Sequence, residues 1–174
     1  MRTRMFLMVA LSLMVAMTAA AADEMKKLDW WVGEWKGEAW IQMGPGKPQY
    51  VLQTERVQSK AGGRVLTVDG LGRQKLENGA AGDVVHDAFA VITWDDAKKA
   101  YRFDAYTARE GYVPATIELT GEHKATWGFT TPQGGKVRYT INLTEKGEWH
   151  EVGEFSRDGN QWMKFFEMTL TKQK

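Results

Sequence analysis

Cysteine is absent from the 174 residues of this chain. That absence excludes a disulfide, a thiolate nucleophile, a cysteine-ligated zinc or iron–sulfur site, and a lipid attached through a lipobox cysteine. An excess of charge of one sign is lacking too, since 23 basic and 22 acidic side chains give a formal charge of +1. Nucleic acids are usually bound by a strongly basic face, so we expect no nucleic-acid partner. The length suits a single domain.

Motifs of common catalytic sites are also missing. No serine stands in a Gly-x-Ser-x-Gly elbow, and the three histidines, His86, His123 and His150, do not have the His-x-x-x-His spacing of a zinc site. The glycines of the 70–73 run precede no helix and are too few for a phosphate loop. The sequence therefore favours a protein without catalysis, metal or cofactor, and an enzyme stays open as an alternative.

Residues 1–22 have the pattern of a secretory signal peptide. Two arginines precede an apolar run over 5–17, and a small-x-small cleavage site ends at Ala22. The apolar run is too short for a membrane span, which needs about 20 apolar residues. We therefore predict a mature domain over 23–174 that has no membrane anchor and lies in the periplasm or outside the cell.

The mature chain has the pattern of an antiparallel β-protein. Turn residues recur at nearly regular spacing, and they separate short segments rich in β-branched and aromatic residues. Val137, Tyr139 and Ile141, for example, alternate with polar side chains, as in a strand with one buried and one wet face. About ten such strands joined by hairpins favour closure, because closure removes exposed edges. We predict an all-β fold: a single closed antiparallel meander β-barrel of about ten strands, with a short N-terminal helix over 24–31.

Two segments support a family resemblance. The run Leu28 to Glu38 contains Gly33-Glu34-Trp35-Lys36-Gly37 directly after the predicted helix, and it resembles the opening of calycin barrels, especially the nitrobindin-like branch. The run Ser156 to Trp162 resembles the closing hairpin of secreted bacterial relatives in the nitrobindin/lipocalin group. The resemblance implies a barrel with a tryptophan plug at one end and a small apolar or amphipathic molecule inside.

The same resemblance implies two contacts for which this chain has different residues. Nitrobindins hold heme through an inward histidine on a late strand, whereas His150 shares the wet face with Glu148 and Glu154. Lipocalins place an arginine of the last strand over the plug tryptophan, whereas Lys164 and Lys172 stand there in this chain. Heme is therefore only an alternative cofactor, and it would need another histidine.

The strand phases indicate candidate ligand contacts. In the early strands two phases stay open: either Gln53, Glu55, Thr67 and Asp69 point into the barrel, or the inner face is formed by Tyr50, Leu52 and Thr54. A few polar groups in an aromatic pocket are what ligand orientation requires. The predicted lining consists of Trp35, Glu55, Tyr101, Phe103, Trp127 and Tyr139.

His86 is the remaining candidate for chemistry. It shares a face with Ala88, Ala90 and Ile92. It would be a ligand only if heme is bound, and the alternative is a partly buried or exposed histidine near a strand start, since no second metal ligand is placed by spacing.

Three functions follow from these observations. The favoured hypothesis is a secreted or periplasmic barrel that binds a small apolar or amphipathic molecule. The second is a heme-binding barrel of nitrobindin type that acts on reactive nitrogen or oxygen species. The third is a scaffold whose outer face meets a protein partner of unknown identity, and it predicts a contiguous exposed apolar patch that includes Trp40.

Overall fold

A computed structural model describes residues 21–174 of the chain. The predicted signal peptide lies outside the described residues except for its last two positions. Residues 21–26 are helical, and a 3-10 turn follows at Asp29–Trp31. Met25 and Leu28 are buried, as the helical spacing predicted, so the short N-terminal helix is confirmed. No helix of this part of the chain is long and apolar enough to cross a membrane.

Ten strands follow the helix and form one closed antiparallel barrel. Each strand pairs with the next, and the first strand pairs with the last. The predicted all-β meander barrel is therefore confirmed. The strands are β1 Gly33–Ile41, β2 Gln49–Lys60, β3 Val65–Lys75, β4 Ala81–Asp95, β5 Ala100–Thr107, β6 Gly111–Gly121, β7 Lys124–Thr130, β8 Lys136–Leu143, β9 Trp149–Ser156 and β10 Met163–Lys172.

Tryptophans fill the end of the barrel beneath the helix, which we call the closed end. The Trp149 ring packs edge-on against Trp31 and Trp35, with ring centroids 4.9 and 5.9 Å away. The Trp35 indole also donates a hydrogen bond of 2.9 Å to the Trp31 carbonyl. These contacts hold the helical segment against the barrel, so the tryptophan plug expected at Trp35 is present.

A lysine covers the plug tryptophan. Lys172 pairs with Trp35 across β10 and β1, and its Nζ lies 5.1 Å from the centre of the Trp35 ring. Gly33 makes room for this side chain, because a Cβ there would lie 2.3 Å from the Lys172 Cε, and its φ of +148° also disfavours other residues. Lys172 thus makes a cation–π contact with Trp35, whereas Lys164 lies over Trp40 instead.

The phase of β2 follows the first alternative, and the second was wrong, because Tyr50, Leu52 and Thr54 lie on the outer face. Gln53 and Glu55 of β2 are buried inside the barrel, as the first of the two alternatives predicted. In β3 that alternative was wrong, because Thr67 and Asp69 lie on the outer face. The pairing explains the difference: Glu55 lies opposite Gly70, and residues directly opposite one another in a sheet point to the same face.

Candidate functional site

The inner face of β4 becomes more accessible away from the closed end. Along β4 the exposed fraction rises from 0% at Ile92 to 7% at Ala90, Ala88 is half-buried, and His86 is exposed. On β6 Ile117 is buried, and the inner residues nearer the start of the strand, Ala115 and Val113, are half-buried. The inner faces of β4 and β6 are therefore accessible at the end opposite the helix, which we call the mouth, whereas Val51 of β2 is buried at the same end.

The two sides of this open half differ in side-chain size. Small residues line the inner face of β3 to β6, and aromatic residues line that of β7 to β10. The small residues are Gly70, Gly72, Ala88, Ala90, Ala105 and Ala115, and the aromatic residues are Trp127, Phe129, Tyr139, Phe155 and Phe166. Phe103 of β5, opposite Ala115, is the large side chain among these small residues, and its ring contacts Trp127 of the aromatic wall.

The aromatic wall is an ordered stack. Trp127 and Tyr139 are parallel, with ring centroids 4.1 Å apart and an interplanar angle of 9°. Phe103 and Phe166 contact this pair edge-on, at 4.9 Å from Trp127 and 5.8 Å from Tyr139 respectively. Offset and edge-on aromatic contacts of this kind hold rings in fixed positions.

The Glu151 carboxyl group is hydrogen-bonded to the Trp127 ring of this stack. Glu151 is 5% exposed, and both of its oxygens accept indole hydrogen bonds, from Trp127 to Oε1 and from Trp149 to Oε2, each of 3.0 Å. Burial raises the pKa of Glu151 to about 7, although the two indole N–H groups oppose that shift by stabilising the ionised form.

A second buried carboxyl group stands on β2. Glu55 is 9% exposed, and its Oε1 accepts a 2.8 Å hydrogen bond from the Gln53 side chain. A Cβ at Gly70 would lie 2.8 Å from both Glu55 oxygens, so the glycine gives the carboxyl group its place on the barrel wall. Burial holds the pKa of Glu55 well above its ordinary value, and the charges of Glu151 and Asp69 add to the increase.

The six predicted lining residues fall into two groups. Trp35 and Tyr101 belong to the closed end, where the Tyr101 hydroxyl donates a 2.8 Å hydrogen bond to the Glu24 carbonyl. The other four, Glu55, Phe103, Trp127 and Tyr139, line the middle of the barrel. As ligand contacts, all six stay predictions.

Sequence reasoning missed Glu151. Its position shares the two-residue period of Trp149 and Gly153, so the pattern did place it inside the barrel. The hydrogen bonds that stabilise this inward carboxyl group could not be predicted from the sequence, because one of the donors is Trp127, 24 residues away in the chain.

The histidines occupy three different environments. His86 faces inward at the mouth, opposite Gly72, and the surrounding barrel wall lowers its pKa by desolvation. His150 lies on the outer face, as predicted, with its Nε2 3.1 Å from Glu167. His123 lies beside Trp30 at the closed end. Residues 21–174 contain no group of three or more His, Asp or Glu side chains placed to hold a metal ion.

Two cavities lie near the outer surface. One of about 400 Å3 separates Lys26 and Trp30 of the helical segment from the β6–β7 turn. The other, of about 290 Å3, is an outer groove over Gly128, where the Arg138 guanidinium stacks on Trp162 at 4.0 Å.

An exposed aromatic row crosses the outer face of β4 to β6. It consists of Phe89, Tyr106 and Tyr112, which are paired in register. Trp40, which the scaffold hypothesis placed in an exposed apolar patch, is not part of this row. The Trp40 indole is half-buried, donates a 3.2 Å hydrogen bond to Glu167 and lies under Lys164.

The fold resembles a solved structure. The crystal structure of Rv2717c from M. tuberculosis superposes with a TM-score of 0.58 and 15% sequence identity, covering 86% of this chain and 97% of that chain. At this identity the similarity shows the barrel fold alone. No protein-family profile matches the chain, and no curated protein matches it by sequence.

Proposed function

We propose that this protein is a non-enzymatic barrel that binds a small apolar or amphipathic molecule through its mouth. The observation that supports the proposal is the accessible inner face of β4 and β6 at the mouth, where Ala88 is half-buried and His86 is exposed. Burial of apolar ligand surface would supply the affinity, at about 25 cal/mol per Å2 before the costs of association. Glu55, Glu151 and the Tyr139 hydroxyl would orient the polar end of the ligand.

The proposed place of action is the periplasm or the outside of the cell. The basic start, the apolar run and the small-x-small site within residues 1–22 support this proposal. Intact mass measurement on the protein from an exporting host tests it: a chain that begins at Asp23 is expected, and a full-length chain in the cytoplasm would contradict export.

Ligand entry through the mouth can be tested with a fluorescent probe. N-phenyl-1-naphthylamine is neutral and apolar, and its emission rises when it leaves water. We expect saturable binding by the wild type and strong loss of binding by Ala115→Trp, which fills the small-residue wall. Thr116→Trp is the matched control, because the neighbouring side chain points outward, and it should bind normally. Equal binding by both variants would place the probe outside the barrel.

Heme binding of nitrobindin type is a second candidate, with reactive nitrogen or oxygen species as the substrates of such a barrel. One observation favours it: His86 faces inward at an open mouth, and its lowered pKa keeps the imidazole in the neutral form that binds iron. Heme would supply the redox chemistry when bound, and His86 would be its protein ligand. A Soret band that appears when hemin is added and disappears in His86→Ala supports this candidate. A wild type that stays colourless with hemin rejects it.

A further inference from the structure

We propose that the rim of the mouth docks on the surface of a lipid membrane that contains anionic lipids. The rim consists of the five turns at the mouth and of the two residues at the adjoining end of each strand. The inference goes beyond the proposed function, because docking requires no ligand inside the barrel. It follows from the distribution of the exposed apolar side chains, from their arrangement around the opening and from the charges of the rim.

The first feature is an unequal distribution of exposed apolar side chains along the barrel axis. Residues 21–174 contain ten large apolar residues that are exposed. All ten lie in the mouth half of the barrel or at its middle, and none belongs to the helical segment or to the turns of the closed end. Single exposed apolar residues are common on protein surfaces, but their concentration at one end of a fold indicates an interaction surface.

The second feature is the arrangement of these side chains around the opening. Met43 and Met163 are the most exposed of the ten, at 78% and 60%, and they come from neighbouring strand ends, which the Gln42 N–H joins by a 2.8 Å hydrogen bond to the Phe165 carbonyl. Six of the ten belong to the rim: Met43, Tyr50, Leu76, Tyr106, Tyr112 and Met163. They span seven of the ten strands around the opening, from β10 through β1 to β6.

Such a ring suits a flat apolar phase, because its members lie on separate turns and strand ends and can enter the phase together. Three of the six rim residues are tyrosines. Tyrosine combines an apolar ring with a polar hydroxyl group and is enriched at the boundary between lipid and water.

The third feature is an excess of basic residues on the rim. The rim carries six basic and three acidic residues, although the whole chain is nearly neutral, with 23 basic and 22 acidic residues. Lys75 and Lys164 form ion pairs with Glu38 and Glu167. The other four are in no salt bridge of residues 21–174: Lys47, Arg109, Lys136 and Arg157. The negative surface potential of anionic lipids attracts such side chains, so the rim is complementary to an anionic membrane in both apolar character and charge.

Vesicle flotation tests the docking. Purified wild-type protein is mixed with vesicles of phosphatidylcholine and phosphatidylglycerol, and with vesicles of phosphatidylcholine alone. We expect stronger binding to the mixed vesicles and weaker binding when salt is added. Absence of binding to the mixed vesicles would overturn the inference, and a concentration-dependent dimer in the same sample would then assign the apolar rim to a second copy of the chain. Equal binding to both kinds of vesicle would overturn the preference for anionic lipid.

Two pairs of variants locate the contact at the rim. Met43→Gln removes an apolar side chain without a change of charge, and we expect about tenfold weaker binding. Its control is Ala97→Gln, in an exposed turn of the closed end, which should bind like the wild type. Lys47→Gln should weaken binding about fivefold, the effect of roughly one basic residue near the surface, whereas Lys146→Gln of the closed end should not. Equal effects within either pair would overturn the proposed orientation.

A fluorescent label reports the orientation independently of affinity. The chain has no cysteine, so Met43→Cys or Ala97→Cys each provides one site for a nitrobenzoxadiazole label. The emission should rise and shift to the blue on mixed vesicles only for the label at position 43, and a response at position 97 alone would contradict mouth-first docking. Binding of N-phenyl-1-naphthylamine is measured without vesicles. Its presence in a protein that does not bind vesicles rejects this inference alone, and its absence in a protein that does bind vesicles rejects the proposed function alone.

Discussion

Glu151 makes the stability of this barrel depend on pH in a defined direction. Its pKa is about 7 in the folded protein against an ordinary value of 4.5, because burial disfavours the ionised form. The folded state therefore holds the proton more tightly than the unfolded state does. The resulting stabilisation is complete below pH 4.5 and is lost as the pH rises through 7. At 1.36 kcal/mol per pH unit of difference, the total is about 3 kcal/mol.

The perturbation that isolates this contribution is Glu151→Gln. The amide cannot titrate, so the variant lacks the loss of stability between pH 5 and 8. It also places an NH2 group against one indole N–H, which costs about 1 to 3 kcal/mol at every pH. The wild type should therefore be the more stable protein at pH 5, and its advantage should shrink by about 2 to 3 kcal/mol by pH 8.

The assay is denaturation by urea at pH 5, 6, 7 and 8 and constant ionic strength, with the free energy of unfolding extrapolated to water. Glu118→Gln serves as a control and should follow the wild type at every pH. Glu167 has a pKa lowered to about 2, mainly by the hydrogen bonds that its carboxylate accepts from Lys164 and His150, and it loses its contribution only in acid. Parallel profiles for the wild type and Glu151→Gln over pH 5 to 8 would refute the reasoning about the buried carboxyl group.

Three further substitutions have defined outcomes. Trp127→Phe removes one donor of the Glu151 carboxylate; it should cost about 1 to 3 kcal/mol at neutral pH and extend the loss of stability to higher pH, both measured by the same denaturation series. Tyr101→Phe removes the hydrogen bond to the Glu24 carbonyl; a loss of about 1 kcal/mol and faster amide exchange in the helical segment are expected, and unchanged exchange there would contradict the tethering role. His86→Ala should change the free energy of unfolding by less than about 0.5 kcal/mol, because its side chain is exposed at the mouth; a larger loss in thermal denaturation would show that the residue supports the fold.

Alternation alone predicts most of the barrel. In β8 the inward set of Val137, Tyr139 and Ile141 follows from a period of two, and the observed register agrees with it. In β3 the same reasoning failed, since the inner positions Gly70 and Gly72 carry no side chain and thus give no apolar signal. Glycine stands there because the Glu55 and Gln53 side chains of β2 occupy the adjacent space. That relation appears only when the two strands are paired.

The candidate site was predictable only in part. The aromatic rings and Glu55 could be proposed because their phase follows from neighbouring residues. The partners of Glu151 could not, because its two indole donors lie on different strands and their convergence depends on the curvature of the closed sheet. The open mouth was also invisible in the sequence, since the exposure of inner residues such as Ala88 depends on what packs over each end of the barrel.

The most direct test of the central claim is native mass spectrometry of the mature protein purified from its natural compartment, with an absorbance spectrum of the same sample. A bound small-molecule mass that is released on denaturation is the expected result, and its fragmentation would identify the ligand. A Soret band in that sample would favour heme and His86 instead. A bare chain without visible absorbance, combined with failure of N-phenyl-1-naphthylamine to bind, would contradict the claim that the interior is a ligand site.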